Sequence, residues 1–135
     1  MSTFAEGDVL PDQAYRVTRA DLVRYAGASG DFNPIHWSDR VAISVGLPGV
    51  IAHGMFTMAL AARALDTWAG GPGRVREFGC KFTKQVVVPD DDHGVEVLVS
   101  AVVRSVTEDG VHLALEVLCD GVKVLGQPKA VLVRG

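Results

Sequence analysis

The fold is decided by the stretch Ala52–Trp68, AHGMFTMALAARALDTW, which predicts one long apolar helix. The apolar side chains that leave it almost no polar face are Met55, Phe56, Met58, Ala59, Leu60, Ala62, Leu65 and Ala69. A helix that is apolar nearly all round is expected to be buried. Small residues such as Ala61 and Ala64 favour a sheet packed closely against it. The following segment Ala69–Gly73, AGGPG, predicts a firm end to the helix.

Beyond this helix the sequence changes to valine-rich segments that predict strands. The predicted strands are Arg74–Val88, Val95–Val106, Val111–Cys119 and Val122–Arg134. Their breaks include the turn pairs Asp109-Gly110 and Asp120-Gly121, which are typical of hairpins and therefore of antiparallel pairing. With a short first strand over Asp12–Val17, the pattern predicts an α+β architecture. In it, a long central helix is wrapped by a curved antiparallel sheet of about five strands.

The segment ahead of the central helix predicts a shorter helix and a long connection. Thr18 and Asp21 have the spacing of a capping box at a helix start, and Gly30 ends the same helix. The chain then runs irregularly over residues 32–50, with one helical turn predicted near Ser38–Val45. Long irregular segments inside compact domains are functional or disordered. The aromatic and aliphatic content of this one favours a packed, functional segment.

Composition narrows the class of protein. At 135 residues, 1–135 is predicted to form a single domain, and the net charge of −3 gives no electrostatic basis for nucleic-acid binding. No stretch has the composition of a membrane span, because the most apolar helix contains Arg63 and Asp66. Cys80 and Cys119 each lie inside a predicted strand, and two free thiols suit a reducing cytoplasm. The predicted location is therefore cytoplasmic.

Chemistry concentrates in the connection and at the start of the central helix. Asp31 and His36 are an acid and a base five positions apart, on a segment that Pro34 keeps from being a helix. Gly54 follows His53 where the central helix begins, and the backbone N–H of such a glycine can stabilise negative charge on a carbonyl oxygen. This is the inventory needed to move a proton beside a polarised carbonyl group.

The run Tyr25–His36, YAGASGDFNPIH, with Ala42 six positions on, resembles the hydratase 2 motif of the MaoC-like dehydratases. Ala28 departs from that motif at a packing position. The resemblance implies a hot-dog fold and reversible dehydration of (3R)-3-hydroxyacyl thioesters to trans-2-enoyl thioesters. Residues 35–37, 45–47, 51–55 and 76–83 are similar, more closely still, to the catalytic B subunit of the two-subunit (3R)-hydroxyacyl-ACP dehydratases of mycolic-acid-type elongation.

The resemblance also assigns expected roles. Asp31 and His36 are the catalytic pair around one water, Asn33 supports their geometry, and Gly54 supplies the oxyanion donor. The family uses no metal and no cofactor. The expected partners are an acyl-ACP or acyl-CoA substrate and a second hot-dog subunit, in a homodimer or a heterodimer.

Several alternatives stay open on the sequence alone. A hot-dog acyl thioesterase shares the fold and the helix-end oxyanion site, and an acyl-binding partner subunit shares the fold without the chemistry. His53 is either a structural residue at the helix start or, with Asp31 and His36, part of a zinc-binding set. Contact with a phosphopantetheine or carrier protein, or simple surface solubility, would each explain the basic residues Arg74, Arg76, Lys81, Lys84 and Lys123.

Overall fold

A computed structural model describes residues 3–134 of the chain. Its helices are α1 (Arg19–Ser29), α2 (Asp39–Ser44) and α3 (Gly54–Ala69), with a short 3₁₀ helix at Pro34–His36 between α1 and α2. Its strands are β1 (Gln13–Val17), β2 (Val75–Phe82), β3 (Val95–Thr107), β4 (Gly110–Cys119), β5 (Val122–Lys123) and β6 (Leu125–Leu132).

The strands form one antiparallel sheet in the order β1-β3-β4-β6-β2, with the two-residue β5 paired to β4 beside this path. The long helix α3 packs against β2 and β6. This is the predicted α+β architecture, with a five-strand path and one long helix. The strand β2 lies at one end of the path and β1 at the other, so each pairs along only one of its edges within the described residues.

Alternation of buried and partly exposed residues along β3 and β4 builds much of the core. On β4, Val111, Leu113, Leu115 and Val117 are buried, while the residues between them are partly exposed. They form a hydrophobic cluster with one face of α3, which contributes Leu60, Ala61, Ala64, Leu65 and Trp68. Burying each large aliphatic side chain contributes about 1.5–3 kcal/mol. The core therefore fixes which face of α3 turns towards the sheet.

The prediction that α3 is buried all round is wrong for the single chain. Met55 is 57% exposed, and Ala59 and Arg63 at successive i+4 positions are exposed as well. The physical reason is that one sheet can cover only one side of a helix. An apolar stripe of α3 near its N-terminus is left open to solvent.

The structure also corrects the predicted end of the second strand. Strand β2 ends at Phe82, six residues before the predicted Val88. The chain beyond it pairs instead with the segment before α3. The Ala52 N–H donates to the Val86 carbonyl at 2.9 Å, and the Val88 N–H donates to the Val50 carbonyl at 3.0 Å. The hydrophobicity of residues 83–88 does not indicate whether they pair with β6, as β2 does, or with the segment before α3. The sequence pattern therefore predicted β2 and these residues as one strand.

The last predicted strand is divided in two. Asp120 and Gly121 both have positive φ, 51° and 75°, as the predicted two-residue hairpin turn requires. Only Val122 and Lys123 then pair with β4 before the chain shifts into β6 at Leu125. Among residues 3–134, no helix is long and apolar enough to cross a membrane.

Candidate active site

The loop after α1 is shaped by short polar contacts that position Asp31. Gly30 ends α1 in the left-handed conformation, with φ of 78°, and its N–H donates to the Ala26 carbonyl at 2.9 Å. The Asp31 N–H donates to the Ser29 hydroxyl at 3.2 Å, and the Asn33 N–H donates to Asp31 Oδ1 at 3.2 Å. One carboxylate oxygen is thereby used to hold the turn, and Oδ2 remains for other partners.

Asn33 lies between the two members of the pair and contacts both: its N–H donates to Asp31 Oδ1, and its carbonyl oxygen accepts from the His36 N–H at 3.0 Å. Its side-chain oxygen accepts from the Ile35 N–H at 3.2 Å and so caps the 3₁₀ helix that carries His36. The family resemblance gives Asn33 the role of supporting the geometry of Asp31 and His36. In the structure the Asn33 backbone holds the carboxylate, and its side chain holds the short helix beneath the imidazole.

His36 is fixed by a backbone carbonyl. Its side chain is 8% exposed, and its Nδ1 lies 2.7 Å from the Ile51 carbonyl oxygen. Because a carbonyl oxygen only accepts, Nδ1 must carry the proton, which leaves the lone pair of the neutral ring on Nε2. That nitrogen is the one that lies towards Asp31.

Asp31 and His36 do not touch. His36 Nε2 and Asp31 Oδ2 are 4.0 Å apart, which is too long for a direct hydrogen bond. Separations of this size are commonly bridged by a single water. The Asp31 side chain is 52% exposed, so solvent reaches the pair. The arrangement can therefore hold one water between a carboxylate and a basic imidazole nitrogen.

Gly54 and His36 line the same cavity, which has a volume of about 290 Å³. The other residues around it include Ile51, Thr57, Phe82 and Val86, so its wall is largely apolar. Gly54 is the first residue of α3, where backbone N–H groups have no partner within the helix. The cavity thus brings His36 and the N-terminus of α3 around one space, while Asp31 is not part of its lining.

Gly54 also has a packing reason to be glycine. A Cβ built on it would lie 3.3 Å from the ring atoms Cδ1 and Cε1 of Phe82. Phe82 is 56% exposed, so its ring can shift to accept a methyl group. Both interpretations of Gly54, close packing and an accessible N–H, are therefore compatible with the structure.

A larger groove of about 1010 Å³ lies elsewhere, between β2, β4 and β6. Its lining includes Arg104, His112 and Lys129, but not Asp31, His36 or Gly54. Because His36 and Gly54 line the smaller cavity and not this groove, we place the candidate site at the smaller cavity.

His53 is the residue whose contacts sequence reasoning did not find. It is 2% exposed, and its ring stacks on that of His36 with centroids 3.8 Å apart and planes at 22°. Its Nε2 lies 3.1 Å from the Asp31 carbonyl oxygen, and Tyr25 meets its ring edge-on at 4.8 Å. In the sequence, only the position of His53 next to Gly54 suggests that it lies near the site. Its hydrogen bond to Asp31 cannot be predicted from the sequence, because the acceptor is a backbone carbonyl oxygen, which every residue has.

Of the basic residues, Lys84 lies at the cavity wall. Lys123 pairs with Glu116 at 3.4 Å on the surface, and Arg76 donates to the Asp109 carbonyl at 2.8 Å. Lys84 is therefore the one of these five residues that is part of the lining of this cavity.

Hydrogen bonds outside the site hold the connection between α1 and α3 in place. The Arg19 guanidinium binds both carboxylate oxygens of Asp39, at 2.9 and 3.1 Å, and donates to the Val88 carbonyl at 2.6 Å. The Val50 N–H donates to Asp39 as well, at 3.0 Å. The Val50 hydrogen bond, followed by that from Arg19, lowers the pKa of the Asp39 carboxyl group from its ordinary value. These hydrogen bonds join α1 and α2 to the segments at Val50 and Val88, whose neighbouring residues line the cavity.

Asp31, His36 and His53 also form a group that could hold a metal ion, since ligand atoms of all three lie within 4.8 Å of one another. Two of the four imidazole nitrogens are already directed at carbonyl oxygens, of Ile51 and Asp31. The expectation from the sequence remains that no metal takes part. Exhaustive chelation of the purified protein should leave its activity unchanged. Loss of activity that zinc restores would contradict this expectation and make the three residues a metal site.

Solved structures share this architecture along nearly the whole chain. A MaoC-like dehydratase has a TM-score of 0.93 and 33% identity, over 98% of this chain and 41% of that chain. The R-hydratase PhaJ1 from Pseudomonas aeruginosa has a TM-score of 0.82 and 26% identity, over 97% of this chain and 82% of that chain. The fold is therefore the hot dog, with α3 as the central helix against the antiparallel sheet.

Sequence comparison gives the family. The 3-hydroxyacyl-thioester dehydratase X of Mycobacterium tuberculosis is 42% identical over 79 residues, which is 58% of this chain and 27% of that protein. A profile of the MaoC-like domain matches residues 2–118. The chain belongs to the MaoC-like domain family. It spans about a quarter of the length of that Mycobacterium tuberculosis protein.

Proposed function

We propose that this chain is a hydro-lyase that interconverts (3R)-3-hydroxyacyl and trans-2-enoyl thioesters, in fatty acid elongation or related acyl metabolism. The observation that carries the proposal is the 4.0 Å gap between Asp31 Oδ2 and His36 Nε2, beside a cavity that also contains the N-terminus of α3. The carrier is ACP or CoA. Residues 1–135 act as one domain, without cofactor or metal.

In the hydration direction, the water between Asp31 and His36 is the nucleophile. His36 Nε2 accepts a proton from it as the oxygen forms a bond to C3 of the enoyl thioester. The C2=C3 π electrons move towards the thioester carbonyl, whose oxygen gains negative charge. The Gly54 N–H, at the positive end of the α3 dipole, stabilises that charge. The acid/base pair then returns a proton to C2, and dehydration is the reverse.

The geometry favours both transfers on one face of the substrate. Asp31 and His36 approach the water from one loop and one short helix, while Gly54 lies on the cavity wall. With a single water held by both groups, the oxygen leaves and the proton returns from the same side. We therefore infer a syn addition across the double bond.

We further propose that the working unit contains two hot dogs. The outer edge of β2 carries backbone groups without a strand partner in the described chain, and such edges favour pairing with another sheet. Exposed apolar side chains surround the same end of the molecule: Phe32 is 62%, Trp37 54%, Met55 57% and Phe82 56% exposed. A second subunit would cover these side chains. It would also close the channel that, in this proposal, leads from the cavity and holds the acyl chain of the substrate.

Because the chain is similar to the B subunit, we propose a heterodimer with a second hot-dog subunit that lacks the catalytic residues. A homodimer is the simpler alternative. In either case this chain supplies Asp31 and His36. Co-purification from the native cell distinguishes the two, because a second hot-dog chain is recovered only in the heterodimer. An interface of ordinary size buries roughly 1,200–2,000 Å².

Light scattering at low micromolar concentration should give the mass of a dimer for the chain expressed alone. Phe82→Asp places a charge on the β2 edge and should shift the mass to that of a monomer. Val9→Asp is the matched control, because Val9 is 74% exposed but bridges to Val102 on β3, away from β2. A wild-type monomer with full hydratase activity would show that one chain builds the whole channel.

The function itself is tested by incubating the purified chain, with its partner where one is found, with a short trans-2-enoyl-CoA. We expect a 3-hydroxyacyl-CoA product and no release of free thiol. Release of free CoA without hydration would instead identify a hot-dog thioesterase. Tight acyl binding with no turnover of any kind would identify an acyl-binding subunit.

A further inference from the structure

We propose that His53 is a positioning residue for the acid/base pair, a role that rests on the proposed function. Three contacts surround it: the Asp31 carbonyl oxygen at 3.1 Å from Nε2, the stacked ring of His36 at 3.8 Å, and the edge of Tyr25 at 4.8 Å. Its side chain contacts both members of the pair. It is 2% exposed and is not part of the lining of the cavity that contains His36 and Gly54.

The contact with Asp31 determines which nitrogen of His53 carries the proton. Because the carbonyl oxygen only accepts, Nε2 must donate. Nδ1 is then the lone-pair nitrogen, and it is buried with no hydrogen-bond partner in the described part of the chain. His36 has the opposite arrangement, with Nδ1 donating to Ile51. The two stacked imidazoles therefore carry their protons on different nitrogens.

Helix capping does not account for a histidine here. His53 is the N-cap residue of α3, but its side chain makes no capping hydrogen bond to the helix. Ser, Thr, Asp or Asn would serve an N-cap better. The side chain is directed towards the loop that carries Asp31 instead. There Nε2 donates to the Asp31 carbonyl oxygen, and the ring stacks on that of His36.

This contact matters because the distance from Asp31 to His36 is set by two separate segments. Asp31 lies in the loop after α1, and His36 lies on the 3₁₀ helix beyond Pro34. A displacement of the order of 1 Å between groups that must share one water can lower a rate by about 10²-fold. His53 bridges the two segments and limits that displacement.

Two substitutions separate the contacts. His53→Phe keeps an aromatic ring against His36 and Tyr25 but removes the donor to Asp31. His53→Gln keeps an N–H donor at similar reach without the ring. We expect His53→Phe to lower kcat by about 10- to 100-fold with KM little changed, and His53→Gln to restore most of the loss. His112→Phe, on β4 and outside the site, is the control and should leave kcat unchanged.

The outcomes are distinguishable. Full activity of a folded His53→Phe protein, or a His53→Gln protein no better than His53→Phe, would overturn the positioning role alone. Absence of hydration by the wild-type protein would overturn the proposed function and this role with it.

A readout that needs no activity and no variant is the ¹⁵N NMR spectrum of the histidine side chains in the wild-type protein. We expect His53 with its proton on Nε2 and His36 with its proton on Nδ1. A His53 ring protonated on Nδ1 alone would show that it does not donate to Asp31, and the inference would fail even if the variants do not fold.

Discussion

Asp31→Asn and His36→Ala are each expected to lower turnover by about 10²- to 10⁴-fold, the usual size of a lost acid/base group. An amide at position 31 has no negative charge with which to hold the water, and it cannot take part in returning the proton to C2. At position 36, alanine removes the nitrogen whose lone pair lies 4.0 Å from Asp31 Oδ2. Because both groups serve one water, the double variant should be little worse than either single one.

Both variants should fold. Asp31 lies on an exposed loop, so its substitution removes no core contact. His36→Ala loses the hydrogen bond to the Ile51 carbonyl, which costs about 1–3 kcal/mol if that oxygen stays buried. A domain is typically stable by about 5–15 kcal/mol, so this loss is tolerable. Circular dichroism checks the fold, and full activity of either folded variant would remove that residue from the mechanism.

Gly54→Pro should lower the rate by about 10²- to 10³-fold by deleting the proposed oxyanion donor. Proline is tolerated at the first position of a helix, where the N–H has no helical partner. The preceding residue suits it too, because His53 has φ of −58° and ψ of 136°, in the extended region that precedes proline. The helix should therefore form, and the loss should fall on kcat.

Gly54→Ala is the matched control. It adds a Cβ close to the Phe82 ring, as proline does, but it keeps the backbone N–H. Alanine should retain much more activity than proline if the donor matters. Equal activity of the two variants would show that Gly54 acts through packing only.

The sequence predicted the architecture because its strongest signals are local. The apolar run over 52–68 and the Asp120-Gly121 turn specify a helix and a hairpin through contacts within a few residues. The helical turn predicted near Ser38–Val45 is found as α2, with Ser38 accepting from the Val41 N–H at 3.3 Å. These features need no knowledge of the rest of the chain.

What the sequence did not predict depends on partners far along the chain. Strand β2 ends at Phe82 because the next residues pair with the segment at Val50–Ala52, which hydrophobicity cannot indicate. The exposed stripe at Met55 reflects the area that one sheet can cover. Composition reports that α3 is apolar, but not that part of it faces solvent in a single chain.

The site was predicted as a set of residues, and its internal geometry was not. The structure brings His36 and Gly54 to one cavity and sets Asp31 4.0 Å from His36. The tautomer of His36 is determined by its hydrogen bond to the Ile51 carbonyl oxygen. Because every residue has a backbone carbonyl, the identity of residue 51 does not predict this hydrogen bond. The stack of His53 on His36 has the same origin, since it arises only when two distant segments meet.

The central claim is that one water, held between Asp31 and His36, adds to the enoyl thioester from a single face. Hydration of a trans-2-butenoyl thioester in D₂O tests it most directly: the NMR coupling between the protons on C2 and C3 reports the relative configuration, and chiral chromatography of the 3-hydroxybutyrate released from the product reports the configuration at C3. The account predicts one (3R) product with oxygen and deuterium added syn. An anti product, or a (3S) product, would contradict it.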